Sequence, residues 1–265
     1  MPSFSQQNIY NVLKGIFIMV TYDKFAKFYF ERRNNKRRLD YNRDIEIPAL
    51  IKLIGNVKNK TLLDIGCGFG DHAKILSKQN YQKLIGFDIS KELIKLAKQQ
   101  QIPRSFFYIG DMNKRLKHNN SSFDIVLAGL VIHYVKNPVK LFKEVNRVLK
   151  QGGIFCFSTG HPIFDLVNQT DKHMVGVIKQ ANGKRIIFGN YFDESPKKND
   201  LGGLGKMKVY NFTFETLIKA GLDNGFELID YKDARPTPIS KKYDAEKYRV
   251  TTTLPTFILF KFKKK

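Results

Sequence analysis

A glycine-rich turn flanked by acidic residues stands out in the first half of the chain. The stretch "TLLDIGCGFGDHAKIL" (residues 61–76) carries Asp64 ahead of three glycines spaced G-x-G-x-G. Asp88 and Asp111 end two later apolar runs, "KLIGFD" and "SFFYIGD". Glycine lets a backbone approach a ligand closely, and carboxylates at strand ends can accept hydrogen bonds from it. The pattern therefore predicts a site for a nucleotide-like ligand.

The spacing of the glycines argues against a dinucleotide. The dinucleotide fingerprint G-x-G-x-x-G would need glycine at position 71, where Asp71 stands. An acid there places negative charge where phosphates bind at a helix N-terminus. A zwitterionic ligand without phosphate tolerates the acids, so the sequence favours that class of ligand.

Alternating strands and helices must position these residues. Five apolar runs predict strands, namely "TLLDIG", "KLIGFDI", "SFFYIGD", "FDIVLAGL" and "GIFCFST". Helical segments separate them, one capped by Ser90 and one begun by Asn137 and Pro138. Such strands indicate a parallel sheet covered on both faces, a doubly wound α/β fold. A ligand of this fold lies beyond the carboxyl ends of the strands.

The flanking segments are less regular. Residues 21–55 are predicted to be helical, with Pro48 in a first turn and Gly55 as a stop. Gly152 is expected to end the helix before the fifth strand. After residue 160 the rhythm breaks: "GKRIIFGNYF" predicts a strand near a hairpin, and "KKNDLGGLGK" predicts a turn-rich loop. A helix and two closing strands, "FELIDYKD" and "PTFILFKFK", follow.

These motifs together resemble the class I S-adenosylmethionine-dependent methyltransferases. "LLDIGCGFG", "LIGFDIS", "FYIGDM", "FDIVLAGLVIHYV" and "LFKEVNRVLKQGGIFCFST" occur in the family's order across residues 62–159, and "YDKFAKFYFERR" resembles its entry helix. The resemblance implies a Rossmann-like, seven-stranded sheet whose last strand is antiparallel. The break in rhythm predicts a substrate lid at 160–210 between strands 5 and 6, within one domain over residues 21–265 that follows an extension at 1–20.

The resemblance implies S-adenosylmethionine as the cofactor and assigns roles to the acids. Asp64 is expected to interact with the ligand ammonium through water, Asp88 with the ribose hydroxyls and Asp111 with the adenine amine. The expected cofactor contacts are Asp64, Gly66, Cys67, Gly68, Gly70, Asp88, Ile89, Asp111, Met112 and Tyr22. Asp64 bracing the loop and Asp71 starting the helix are the structural alternatives.

Histidines are the candidates for chemistry at the methyl group. His133 follows the fourth strand and His161 the fifth, so both are predicted to face the mouth of the site. Shaping of the site is the alternative for His133, and a turn before a proline is the alternative for His161. His72 is expected on the first helix near the cofactor, where a role as base is less favoured. Four further residues are expected to contact substrate: Tyr29, Tyr191, Tyr210 and Arg235. No metal site is predicted.

The acceptor class is argued partly from absence. The sequence after the fourth strand, "AGLVIHY", lacks the Asn/Asp-Pro-Pro-aromatic motif of enzymes that methylate nucleobase amines. A small-molecule acceptor is therefore the leading hypothesis. The formal net charge of +22 and the run "RRNNKRR" (residues 32–38) keep an RNA methyltransferase as an alternative. A non-catalytic protein that binds the same cofactor is the other.

The remaining features concern location. No stretch reaches the roughly 18 apolar residues that a membrane-spanning helix needs. The two cysteines, Cys67 and Cys156, are not expected to pair, which fits a reducing cytoplasm. The sequence does not indicate an oligomeric state.

Overall fold

The computed structural model describes residues 22–34, 38–161, 176–188, 190–200 and 206–265. The predicted N-terminal extension at 1–20 lies outside these ranges. Within them, no helix is both long enough and apolar enough to cross a membrane.

A seven-stranded sheet forms the centre of the molecule. The eleven described strands are β1 (Thr61–Ile65), β2 (Lys83–Asp88), β3 (Ser105–Ile109), β4 (Phe123–Ala128), β5 (Leu149–Gly160), β6 (Gly176–Lys179), β7 (Arg185–Phe188), β8 (Lys197–Asp200), β9 (Lys206–Val209), β10 (Phe226–Asp233) and β11 (Phe257–Lys264). The order in the main sheet is β10-β11-β5-β4-β1-β2-β3. β1 to β5 pair in parallel, and β11 is antiparallel to both of its neighbours. The predicted fold is confirmed.

Helices cover both faces of this sheet. They are α1 (residues 22–34), α2 (Ile47–Ile54), α3 (Asp71–Leu76), α4 (Lys91–Gln99), α5 (Pro138–Val148), α6 (Phe214–Leu222) and α7 (Ala245–Thr253). α5 and α6 pack an aromatic core around Phe142 on one face, and α2, α3 and α4 pack around Leu50 on the other. The side chains of Ser90 and Asn137 accept capping hydrogen bonds at the starts of α4 and α5, as predicted.

A π turn precedes α2. Pro48 lies in the first turn of α2, as predicted, but residues Asn42–Glu46 form a π turn immediately ahead of it. Proline has no N–H for the carbonyl four residues earlier. That carbonyl, on Asp44, accepts from the N–H of Thr237 at 2.8 Å instead. π turns are rare and occur frequently at functional sites, and the last residue of this one is buried.

The segment between β5 and α6 contains two small hairpins. β6 pairs with β7, which confirms the predicted strand near a hairpin. β8 pairs with β9, so the expectation of a loop over "KKND" is wrong for Lys197–Asp200. Lys, Asn and Asp are depleted in strands, so the composition of β8 predicts a loop, whereas pairing with the nearby β9 makes it a strand. Gly152 does not end α5 either: the helix ends at Val148, and β5 already begins at Leu149.

Candidate active site

The glycine turn has one packed side and one open side. Gly66 has φ +67°, and a Cβ on it would lie 2.4 Å from Cγ1 of Val131. Gly68 has φ +54°, and a Cβ there would meet nothing within 4 Å. Both positions require the left-handed region that favours glycine. Gly70, also left-handed, is the N-cap of α3. The turn thus exposes bare backbone at Gly68 while packing tightly against the segment that follows β4.

The cysteine in the turn is held as a thiol. Burial raises the pKa of Cys67 well above its usual value, and nearby Asp64 and Asp88 raise it further. Its backbone N–H donates to the carbonyl of Phe87 at 3.0 Å. Cys67 therefore contributes backbone to the turn, and its side chain is not a nucleophile.

Asp88 at the end of β2 ties the turn to α4. Its Oδ2 accepts from the N–H of Gly68 at 3.0 Å, and its Oδ1 accepts from the N–H of Ser90 at 2.9 Å. Burial raises the pKa of Asp88, while the N–H donors oppose that rise. Ile89 lies half-buried between these contacts. A carboxylate oxygen has more than one lone pair, so each can accept a further donor.

Asp111 and Met112 follow the end of β3. Oδ1 of Asp111 accepts from the N–H of Asn113 at 2.9 Å, and the side chain is half-buried. Met112 packs against the core formed by α5 and the sheet. Three acids therefore lie at the carboxyl ends of three adjacent parallel strands: Asp64 and Asp88 are still part of β1 and β2, and Asp111 comes just after β3.

A buried charged cluster lies beneath the glycine turn. Asp64 is fully buried, and neither of its carboxylate oxygens has a hydrogen-bond partner in the described ranges. Nδ1 of His72 lies 3.7 Å from Oδ2 of Asp64, and Nε2 lies 3.4 Å from Oε2 of Glu46. Burial raises the pKa of Asp64 to about 7, although His72 opposes the rise. Burial lowers the pKa of His72, but Glu46 and Asp64 outweigh it and raise the pKa to about 9. His72 is thus an imidazolium at neutral pH.

Helix α1 lies across the turn and is fixed near its start. The Tyr22 hydroxyl is 3.0 Å from the hydroxyl of Tyr134, which belongs to the 3₁₀ turn after β4. Oδ1 of Asp23 accepts from the Ser90 hydroxyl at 2.6 Å. Tyr29 packs edge-on against Phe69 of the turn.

The far end of α1 is fixed by a buried arginine. Nη2 of Arg33 donates to Oδ2 of Asp71 at 2.6 Å, and Nη1 donates to the Tyr29 hydroxyl at 2.8 Å. Nε lies 3.4 Å from Oδ1 of Asp40. Asp71, where the dinucleotide fingerprint has glycine, is therefore the anchor of α1 and starts α3.

His133 lies on the 3₁₀ turn after β4, beside Tyr134. Burial lowers the pKa of His133 to about 4, so its imidazole is neutral at physiological pH. Its carbonyl accepts from the N–H of Tyr210 at 2.7 Å. Met207 of β9 is buried, and the ring of Tyr210, just after β9, stacks on the ring of Phe212. The β8–β9 hairpin thus joins the segment that carries His133.

Comparison with known proteins agrees with this architecture. A family model described as a methyltransferase domain matches residues 63–157. A solved structure of an S-adenosylmethionine-dependent methyltransferase from Mesorhizobium loti is 26% identical, with a TM-score of 0.69 over 82% of this chain and 96% of that chain. A demethylmenaquinone methyltransferase from Oceanobacillus iheyensis is 28% identical over 84% of this chain and 90% of its own length. The chain belongs to the class I S-adenosylmethionine-dependent methyltransferases.

The residues of this methyltransferase fit its cofactor, S-adenosylmethionine. The space beside Gly68 is open, so a ligand can approach the backbone of the turn there. Within the described residues, Asp64 keeps two buried oxygens without a hydrogen-bond partner, and an approaching ammonium would favour the ionised form of this carboxyl, whose pKa burial raises to about 7. Within the described ranges, no group of three His, Cys, Asp or Glu side chains is placed to hold a metal ion.

The catalytic candidate His161 and two of the predicted substrate residues, Tyr191 and Arg235, lie away from the glycine turn. His161 is buried at the end of β5, with Nε2 3.3 Å from Oδ1 of Asp233 on β10. The Tyr191 hydroxyl accepts from the N–H of Phe214 and so caps α6. Arg235 is exposed just after β10. The structure brings Tyr22, Tyr29, His133 and Tyr210 to the segments around the turn and the 3₁₀ turn after β4. His161 and Arg235 instead follow β5 and β10, and Tyr191 precedes β8.

Several residues of the site were not predicted from the sequence. Glu46, Asp23 and Tyr134 gave no motif of their own. Glu46 offered one signal, since it is an acid between two isoleucines in "DIEIPAL", two residues before a proline. Arg33 was predicted to end the entry helix and to belong to a basic run, but no contact was predicted for it; only 7% of its surface is exposed, and its partner is Asp71.

Proposed function

We propose that this methyltransferase acts on a small-molecule acceptor. The observation that carries the proposal is the covering of the site by α1, which is fixed by Tyr22 on Tyr134 and by Arg33 on Asp71. The β9 strand adds a second boundary through the contact of Tyr210 with the His133 carbonyl. An acceptor that enters between α1 and the segment after β4 would meet the aromatic side chains of these two elements, which suits a compact molecule better than a polymer strand.

The acids and glycines would hold the cofactor. Asp88 would accept the ribose hydroxyls, Asp111 the adenine amine, and Asp64 would attract the ammonium through water. Gly66 and Gly68 would present backbone to the amino-acid portion. With these contacts, the charged amino-acid end of the ligand would lie over the acidic side chains of Asp64 and Glu46. The uncharged adenine would lie near Met112 and β3, away from those acids.

Bound S-adenosylmethionine supplies an electrophilic methyl group on a sulfonium. The protein aligns the acceptor with that methyl group and excludes water, and alignment supplies much of the acceleration in such reactions. His133 lies on the segment after β4 as a neutral imidazole, so it can accept a hydrogen bond or proton from the acceptor. A pKa of about 4 makes it a weak base, so we assign it mainly to orienting the acceptor. His161 remains a candidate whose contact with Asp233 favours a structural role.

Two further observations support a small acceptor in the cytoplasm. The relative from Oceanobacillus iheyensis is named for demethylmenaquinone, and another relative, from a Marinomonas species, is a malonyl-[acyl-carrier protein] O-methyltransferase. Cys67 and Cys156 are both free and buried thiols, which fits a reducing compartment. The lid at 160–210 would then choose the acceptor through its hairpins.

RNA is the alternative acceptor because the net charge is +22. The structure weakens one of its supports. In the densest basic run Arg33 turns inward to Asp71, and the neighbouring Arg43 donates to Asp44 at 2.6 Å. An RNA enzyme would bind RNA with a steep dependence on salt, losing affinity by orders of magnitude between about 50 and 200 mM.

Transfer of labelled methyl from S-adenosylmethionine into a cell extract separates these readings. The extract is divided after reaction into small-molecule, RNA and protein fractions. Label in the small-molecule fraction is expected and yields a product for mass spectrometry. Label that ribonuclease removes would overturn the small-molecule proposal. No label in any fraction, with cofactor binding intact, would favour the non-catalytic alternative.

A further inference from the structure

A continuous buried polar path connects the two halves of the site. Beneath the glycine turn, His72 of α3 lies between Asp64 of β1 and Glu46 of the π turn. The other oxygen of Glu46, Oε1, accepts from the Ser158 hydroxyl of β5 at 2.7 Å. Ser158 Oγ in turn accepts from the N–H of Leu130 at 2.9 Å. Leu130 begins the segment that carries His133 and Tyr134.

The backbone along this path is arranged to make room for it. A Cβ on Gly129 would lie 2.4 Å from Cε1 of His72 and 3.0 Å from Oε1 of Glu46, so only glycine fits there. Leu130 adopts a left-handed conformation with φ +51°, which costs free energy in a branched residue. Its N–H is nevertheless held by Ser158. Strain of this kind persists where the surroundings determine it and is common at functional sites.

Stability alone does not explain this buried path. A buried charge is expensive unless it is paired, and a well-packed apolar group often serves stability as well or better. The described core keeps Glu46 and Asp64 fully buried around one imidazole instead. Both ends of the path reach segments that face the ligand: the glycine turn through Asp64 and the acceptor segment through Leu130.

We propose that Glu46 and His72 are positioning residues that hold the glycine turn and the segment after β4 in one arrangement, His72 through Asp64 and Glu46 through Ser158. The pair fixes the carboxyl group of Asp64 under the amino-acid end of the cofactor, and the imidazolium of His72 favours its ionised form. It also fixes the backbone from which His133 and Tyr134 project. The inference rests on the assignment of Asp64 to the cofactor ammonium and is independent of the acceptor class.

Binding of two ligands distinguishes positioning from general damage. S-adenosylmethionine carries the ammonium, whereas 5′-methylthioadenosine keeps the ribose and adenine and lacks the whole amino-acid portion. Glu46→Gln keeps the size of the side chain and an acceptor for Ser158 but removes the charge that faces His72. We expect it to weaken S-adenosylmethionine about tenfold, within the usual range for coupling between sites, and to leave 5′-methylthioadenosine unchanged in titration calorimetry.

The matched control is Asp124→Asn. Asp124 starts the opposite end of β4, where Oδ2 accepts from the N–H of Thr61 at 2.8 Å and Lys150 pairs with it at 3.1 Å. Its loss removes a well-bonded carboxylate far from the glycine turn. Asp124→Asn is expected to lower thermal stability and to change the affinity for neither ligand.

The pH profile adds a readout that a merely structural role would not move. The charged groups that face His72 are Glu46 from the π turn, Asp64 from β1 and Asp71 from its own helix, the last paired with Arg33 of α1. The pKa of His72 is raised to about 9, so its charge is lost only as the pH rises through that value. Glu46→Gln removes the largest favourable partner. In Glu46→Gln, the affinity for S-adenosylmethionine should therefore begin to fall at a lower pH than in the parent protein. Titration of the ligand itself affects both proteins equally.

Each outcome decides the proposal. Parental affinity and an unchanged pH profile in a folded Glu46→Gln would refute it and leave the pair a purely structural element. Equal weakening of both ligands would also refute it. If Glu46→Gln does not fold, Ser158→Ala decides instead: faster hydrogen exchange of the Leu130 amide with severalfold weaker S-adenosylmethionine supports the path, and parental behaviour overturns it. A parent protein that binds neither ligand would refute the cofactor site itself.

Discussion

Replacing Asp88 with alanine should separate cofactor binding from fold. The carboxylate stands at the end of β2, and its oxygens accept from the N–H groups of Gly68 and Ser90 at 3.0 and 2.9 Å. Both ribose hydroxyls are proposed to donate to the same oxygens. Asp88→Ala therefore removes two expected ligand contacts and two internal ones at once.

The magnitudes differ for binding and for stability. A hydrogen bond to a charged group contributes about 1.5–3 kcal/mol, so losing two costs at least ~3 kcal/mol, or roughly 100-fold in the dissociation constant. The two internal bonds reach the same carboxylate and contribute a similar amount to stability, but relief of the buried charge offsets most of this loss. We expect a net fall of about 1 kcal/mol in the free energy of unfolding, which corresponds to a Tm about 2–4 °C lower.

The assay is titration calorimetry with S-adenosylmethionine beside a thermal melt. Asp88→Asn is the matched variant, because it keeps one acceptor oxygen and should show an intermediate loss of affinity. Asp124→Asn controls for loss of a carboxylate elsewhere in the sheet. An affinity for Asp88→Ala within threefold of the parent protein would refute the ribose role. A melting point lowered by more than about 10 °C would show that the internal bonds dominate.

Three further predictions follow from the same geometry. Gly66→Ala should abolish cofactor binding and lower the melting temperature, because its Cβ would lie 2.4 Å from Val131 at φ +67°; a parental melt and affinity would contradict this. Arg33→Gln should lower the free energy of unfolding of the α1 region by about 2 kcal/mol, since it leaves the half-buried Asp71 without its cation, and faster cleavage within α1 in limited proteolysis would report it; unchanged cleavage would argue against the anchor. Titration of His133 should not change the rate of methyl transfer between pH 6 and 8, because burial lowers the pKa of His133 to about 4. If the parent rate changes with pH in that range and His133→Asn removes the change, the assignment is disproved.

The order of elements could be predicted because it is written locally. Continuous apolar runs between helical segments indicate parallel strands buried on both faces, and Ser90, Asn137 and Gly55 mark helix ends by their own chemistry. The seven-stranded sheet with an antiparallel last strand came from the resemblance of the motifs to a known family. Hairpin β8–β9 was missed because Lys, Asn and Asp in β8 are residue types depleted in strands, and its pairing with β9 overrides that local preference.

The basic run at residues 32–38 shows the same limit of local sequence information. A run of basic residues at 32–38 looks like a surface for an acidic partner, yet Arg33 is buried and bound to Asp71. No local signal separates an arginine that faces solvent from one that closes a helix over a turn. The charge of His72 was equally hidden, since it depends on Glu46 and Asp64, which are distant in the sequence and adjacent in space.

The sequence by itself indicated the ligand class: the glycines and the three acids lie at predicted strand ends, and the resemblance of these motifs to a known family supplied the cofactor and the role of each acid. Tertiary structure alone decided how that ligand site is supported. A π turn ahead of Pro48 buries Glu46 against His72, and Ser158 on β5 carries the contact on to Leu130. Such a network forms only when strands distant in sequence become neighbours, because buried charges are tolerated only where partners from several elements converge.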